Sequence, residues 1–154
     1  MDEVFKEIQV KENIYKDHAY VEHTVNKTVA MLEKGKYNQA ICLLKEVIKN
    51  KEYINEKAIV HLINSFNILG LCYSSLGNYD KAIETYDNGL IYEKSKTLLN
   101  NKALAYKQKG DYTKALEVFS SIEPSNNDTY FYDNIEKQKK LIVELIKKTD
   151  NLCK

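Results

Sequence analysis

Gly77-Asn78-Tyr79-Asp80-Lys81-Ala82-Ile83 is the stretch from which the rest of this 154-residue chain can be read. The same phrase occurs twice more, as Gly35-Lys36-Tyr37-Asn38-Gln39-Ala40-Ile41 and Gly110-Asp111-Tyr112-Thr113-Lys114-Ala115-Leu116. Each copy fits Gly-x-Tyr-x-x-Ala-[Ile/Leu], which has the chemistry of a helical hairpin turn. Glycine closes the first helix in a left-handed conformation that other residues enter at a cost of roughly 1 kcal/mol. Tyrosine lays an apolar ring over the turn. Alanine, one turn into the second helix, leaves room for the partner helix to approach.

The flanking residues extend the match. Phe66-x-x-Leu69-Gly70-x-x-Tyr73 precedes Gly77, and Ala82-x-x-x-Tyr86 follows it. Leu99-x-x-Lys102-Ala103-x-x-Tyr106 precedes Gly110, and Ala115-x-x-x-Phe119 follows it. Gly77 and Gly110 are 33 residues apart. This pattern resembles the tetratricopeptide repeat (TPR), a helix-turn-helix unit of about 34 residues with an aromatic, Leu-Gly, Tyr, Ala and Phe at fixed places. In that register Phe66 and Leu99 take the aromatic position. Gly70 and Ala103 take the small position where the two helices of one hairpin touch. The resemblance covers roughly residues 21 to 128 and implies an all-α, TPR-type α-solenoid of antiparallel helix hairpins with a C-terminal capping helix.

The first unit diverges. Its second helix fits through Ala40-x-x-x-Leu44, but Thr24, Lys27, Thr28 and Met31 stand at the first-helix positions. Gly35 and Gly77 are 42 residues apart, so about eight residues are inserted. Two longer helices, near Tyr37 to Asn50 and Asn55 to Leu76, could absorb them. The TPR proline is also missing, since the single proline, Pro124, lies early for that place in the third unit. The expected organisation of the domain is an N-terminal helix (1–16), a divergent first repeat (17–54), a second repeat with an extended first helix (55–95), a third repeat (96–127) and a capping helix (128–152). Solenoid ends need such caps, because a terminal repeat must turn a polar face outward. The cap is expected to start at Asn126-Asn127-Asp128, with Phe131, Ile135, Ile142, Leu145 and Ile146 on one stripe and lysines opposite. Val4, Phe5 and Ile8 begin a shorter amphipathic helix at the other end.

Composition narrows the function. Lys+Arg total 23 and Asp+Glu 22, a net charge of +1, which gives little field to recruit nucleic acid. Every one of those cations is Lys, so the bidentate fork most used on guanine edges is absent. With 5 Gly and 1 Pro, long helices are favoured over a sandwich or barrel. Cys42, Cys72 and Cys153 have neither disulfide-framework nor metal spacing, and are read as two small buried hydrophobes and a tail thiol. The N-terminal residues do not read as a signal peptide. The most apolar stretch, Ile59 to Tyr73, is interrupted by His61, Asn64, Ser65 and Asn67 and falls short of a membrane span. A cytoplasmic protein without membrane or nucleic-acid contact is expected.

No phosphate loop, nucleophile elbow or paired Cys/His signature appears in the sequence, so no enzyme, cofactor or metal is expected. His18 and His23 share no helical face well, and His61 stands alone; each reads as a surface or half-buried residue. What remains is binding. The TPR resemblance implies a concave groove lined by the first helix of each unit and receiving a peptide or protein segment. Its groove-facing places are Asn64, Asn67, Leu71 and Ser74 in the second unit, and Asn100, Asn101, Leu104 and Lys107 in the third. In the first unit they are Glu22, Val25, Asn26 and Val29. Asparagine amides both donate and accept, so Asn64, Asn67 and Asn100 suit a ladder that holds a peptide backbone. Val25 and Val29 stand where a Lys and an Asn would clamp a C-terminal carboxylate in some TPR proteins, which makes a chaperone-tail receptor a poorer fit. Two other functions suit the same fold. One is the sensor domain of peptide-pheromone-responsive bacterial regulators; the other is a self-associating scaffold, a possible homodimer, using the apolar stripe of the last helix.

Overall fold

A computed structural model describes residues 3–124 and 128–152. The expected Asn126-Asn127 cap, the Cys153 thiol and the Phe5 side chain lie outside what is described. Among the described residues the secondary structure is all helical: α1 (Glu3–Lys16), α2 (His18–Glu33), α3 (Tyr37–Lys49), α4 (Ile59–Ser75), α5 (Tyr79–Leu90), α6 (Lys96–Lys109), α7 (Tyr112–Ser120) and α8 (Thr129–Leu152). The chain is an all-α, TPR-type repeat protein built of helix hairpins. It divides into two compact units, residues 1–93 and 94–154.

The three repeated phrases form the same joint three times. Gly35, Gly77 and Gly110 have φ of 69°, 74° and 90°. In each the glycine N–H donates to the carbonyl three residues back. The next N–H reaches five residues back, as in Asn78 N–H to Tyr73 O at 2.9 Å. That pair of bonds satisfies carbonyls the ending helix would otherwise leave orphaned, and it requires the positive φ that glycine supplies. Ala40, Ala82 and Ala115 are fully buried, as close packing of the second helix on the first demands.

In the first unit α4 is central and packs against α2, α3 and α5. Its core brings Val21 and Val25 of α2 together with Ala40, Leu44 and Val47 of α3 and Ile68, Leu69 and Cys72 of α4. Thr28 and Ser65 are buried among them, and each donates its hydroxyl to a carbonyl of its own helix, Val25 O and His61 O. Hydroxyls satisfied this way add no unpaired polar group to an apolar core. The inserted residues fall close to the expected bounds: α3 ends at Lys49, a 3-10 turn at Glu56–Ala58 leads into α4, and a second 3-10 turn at Lys51–Tyr53 lies between the two helices. Asn55 fixes this segment: its Oδ1 accepts from Ala58 N–H at 3.0 Å, and its Nδ2 donates to Lys16 O at 2.8 Å. With the preceding turn, α4 forms a 20-residue stretch, Glu56–Ser75, long and apolar enough by composition to cross a membrane; the sequence reading placed it short of that length. Half of it is buried within the protein, as a core helix requires.

In the second unit Ala103, Ala115, Phe119 and Ile122 share a core with Ile135 and Ile142 of α8. The apolar stripe of the last helix is therefore spent mainly on its own unit. Asp128 caps α8, its Oδ1 accepting from Phe131 N–H at 3.3 Å. Cys72 is buried as expected, and burial pushes its thiol up to about 11. Cys42 is exposed, because α3 turns its 40–44–47 edge inward and position 42 falls outside that edge.

Candidate functional site

The four α4 positions expected to face a groove recur at spacings of three and four residues, which keeps them on one stripe of the helix. That stripe lies beside the buried line of Leu62, Phe66, Leu69 and Cys72. Asn64 is exposed, and Asn67 and Leu71 are half-buried. Ser74 is placed differently: its hydroxyl is buried without a hydrogen-bond partner, as is that of Tyr86. Burial pushes the Tyr86 phenol up to about 12, the Ser74 hydroxyl pulling weakly the other way. In the first repeat Val25 is only 3% exposed and belongs to the core, so that expected groove position is a packing residue. Glu22 is half-buried, and Asn26 and Val29 are exposed.

On α6, Asn100, Asn101, Leu104 and Lys107 are all half-buried. Asn100 and Leu104 line a cleft of about 410 Å³ whose other wall is α8 and its cap: Asp128, Tyr130, Phe131, Asn134 and Gln138. Asn100 Nδ2 donates to Asn101 Oδ1 at 3.3 Å, which orients the two amides against each other. Lys107 Nζ donates to Gln138 Oε1 at 2.7 Å, so this lysine ties α6 to α8. Near the cap of α8, Lys96 Nζ sits 2.8 Å from Asp128 Oδ2 and 4.9 Å from the Phe131 ring centroid. That ammonium holds the Asp128 carboxyl below its usual range, and the carboxylate raises Lys96 in return. The cleft thus has apolar surface from Leu104, Tyr130 and Phe131, and amide groups from Asn100, Asn134 and Gln138. The sequence reading gives the last helix the roles of cap and self-association stripe, so its Tyr130, Asn134 and Gln138 fall outside the expected groove positions. Tyr130, a highly exposed aromatic in its first turn, was the available signal.

A second cleft, of about 460 Å³, opens in the first unit where α3, α4 and α5 meet. Phe66, Leu69 and Tyr73 form its floor, and Lys45, Lys49, Lys81 and Glu84 lie around it. Lys81 Nζ is 5.9 Å from the Tyr73 ring centroid. No sequence expectation fell there; the clue was Lys45 and Lys49 one turn apart on α3, beside aromatic positions of the next repeat.

The histidines also differ from expectation. His18 and His61 are not separate: their Nε2 atoms lie 3.2 Å apart, with Glu22 Oε2 3.8 Å from His18 Nδ1. Folding of α2 against α4 brings together residues 43 positions apart, which helical spacing alone does not reveal.

Comparison with known proteins places these elements. Residues 63–95 and 97–121 match the tetratricopeptide repeat family. The fold is similar to that of the Yersinia enterocolitica type III secretion chaperone SycD in complex with a peptide of the translocator YopD. The TM-score is 0.69 at 20% identity, over 84% of this chain and 95% of that one. A second SycD structure gives a TM-score of 0.68 at 19% identity, over 84% and 87% of the two chains. An alternative SycD dimer gives 0.64 at 20% identity, over 84% and 95%. No curated protein sequence matches the chain.

Proposed function

We infer, because residues 63–95 and 97–121 match the tetratricopeptide repeat family, that this chain is a non-catalytic module binding an extended peptide or protein segment on its first-helix faces. The observation that carries this reading is the α6–α8 cleft, in which two expected groove residues, Asn100 and Leu104, meet an apolar and amide-lined wall. An apolar ligand side chain would enter between Leu104, Tyr130 and Phe131, and the Asn100 and Asn134 amides would hold the adjoining peptide groups. On α4, Asn64, Asn67 and Leu71 are assigned the same kind of contact. Ser74 and Lys107 act as supports, since the Ser74 hydroxyl is buried and Lys107 is engaged by Gln138. The similar chaperone SycD is seen with a bound peptide, which supports a peptide as the class of ligand.

A library of fluorescent peptides titrated against the full chain tests this. Asn100→Ala should weaken a peptide selected on the α6–α8 cleft, and Asn67→Ala one selected on the α4 face, by about 0.5–1.5 kcal/mol each. Lys45→Ala and Lys49→Ala, in the other cleft, should leave both unchanged. Binding that ignores both asparagine changes but falls with the lysine changes would move the site to the α3–α5 side.

A further inference from the structure

His18 is the first residue of α2, and His61 lies in the first turn of α4. Their rings are 4.8 Å apart between centroids and inclined by 76°, edge-on rather than stacked. The Nε2 to Nε2 separation of 3.2 Å fits a hydrogen bond between neutral imidazoles. It also fits another arrangement. Two nitrogens at 2.0–2.1 Å from a tetrahedral ion stand about 3.3 Å apart, so the rings already hold two corners of a zinc coordination shell. Glu22, one turn after His18 on the same face of α2, supplies a third donor, and the three candidate ligand atoms all lie within 4.8 Å of one another. Its side chain is 47% exposed, and its Oε2 lies 3.8 Å from His18 Nδ1.

The backbones beneath these side chains are fixed independently of any ion. The Asp17 carboxylate accepts from Ala19 N–H at 2.9 Å and caps α2. Asn55 joins the end of α1 to the turn before α4, and the Ser65 hydroxyl donates to His61 O at 2.8 Å. Ligands on anchored helix ends lose little freedom when they bind a metal, which favours affinity. Two imidazoles and one carboxylate suit a divalent transition ion and do not suit the all-oxygen preferences of calcium or magnesium.

We propose that His18, Glu22 and His61 bind one zinc-class divalent ion, which clasps the first helices of two successive repeats. Water fills the remaining coordination position. The ion acts on unit 1–93 by binding its folded form and not its unfolded chain.

Calorimetric titration of the full chain with zinc chloride tests the proposal, with cobalt(II) absorption reporting the ligand type. One saturable site is expected, with a ligand-field spectrum of nitrogen and oxygen donors and no thiolate charge-transfer band. His18→Ala and His61→Ala should each weaken binding at least tenfold, with far-UV dichroism confirming that both variants remain helical. His23→Ala, on the same helix but outside the cluster, should bind as the parent does. Zinc at a hundredfold excess over its Kd should raise Tm by roughly 5–10 °C, and by far less in the His61→Ala chain. The absence of saturable binding overturns the proposal. So does binding that survives both histidine changes, or a thiolate band showing that the cysteines take the metal.

Discussion

A methyl group placed on Gly70 would lie 2.2 Å from the Tyr86 ring, a separation that real Cβ contacts do not show. The glycine is therefore set by packing, not by backbone conformation, and Tyr86 fills the space its side chain would need. Gly70→Ala should destabilise the protein by about 1–3 kcal/mol in chemical denaturation, the range for overfilling a packed core. The Tyr86 hydroxyl is buried without a partner. Tyr86→Phe keeps the ring and removes that unsatisfied group, so it should be neutral or slightly stabilising. Tyr86 also makes the fold sensitive to alkali. Its phenol titrates near 10.0 when unfolded and is pushed up to about 12 by burial. The unfolded chain then releases this proton first, and stability falls as pH rises through 10 to 12, by roughly 2–3 kcal/mol from this group. Burial likewise raises Tyr15 to about 12 and Cys72 to about 11, so they add to the same loss. Denaturation curves measured across that pH range should be flatter for Tyr86→Phe than for the parent.

At the scale of elements, the helix ends were the most legible part of the chain. Gly35, Gly77 and Gly110 carry a backbone requirement that only one residue type meets cheaply, so sequence and geometry coincide there. Residues 50–58 were less legible, because their conformation depends on a partner elsewhere. Asn55 stops the chain from continuing as one helix by capping the turn before α4 and holding the end of α1. Asn55→Ala should cost about 1–2 kcal/mol, for a lost cap together with a lost long-range hydrogen bond. Amide hydrogen exchange provides the check: protection should drop in α1 and in the first turn of α4, while α5 is little affected. The same dependence on partners explains Val25. Its place in the repeat suggested a groove residue, yet packing of α2 against α3 and α4 puts it in the core.

At the scale of the molecule, each of the two compact units has its own core, and in the second that core is incomplete without α8. Ile142 is fully buried against the α6–α7 hairpin. Ile142→Ala should destabilise unit 94–154 by about 2–5 kcal/mol, seen as faster amide exchange in α6 and α7. That core takes up Ile135 and Ile142, while Leu141 and Val143 of the same helix stay exposed. The sequence by itself determined the helical class, the repeat and its turns, because these rest on periodicity and on backbone conformations tied to single residue types. Only the tertiary structure decided which faces stay open. It paired Asn100 and Leu104 with the α8 wall, buried the Ser74 hydroxyl, and brought His18 to His61. The reason is physical: spacing along a helix fixes which residues share a face, while the packing of helices distant in sequence fixes what that face meets.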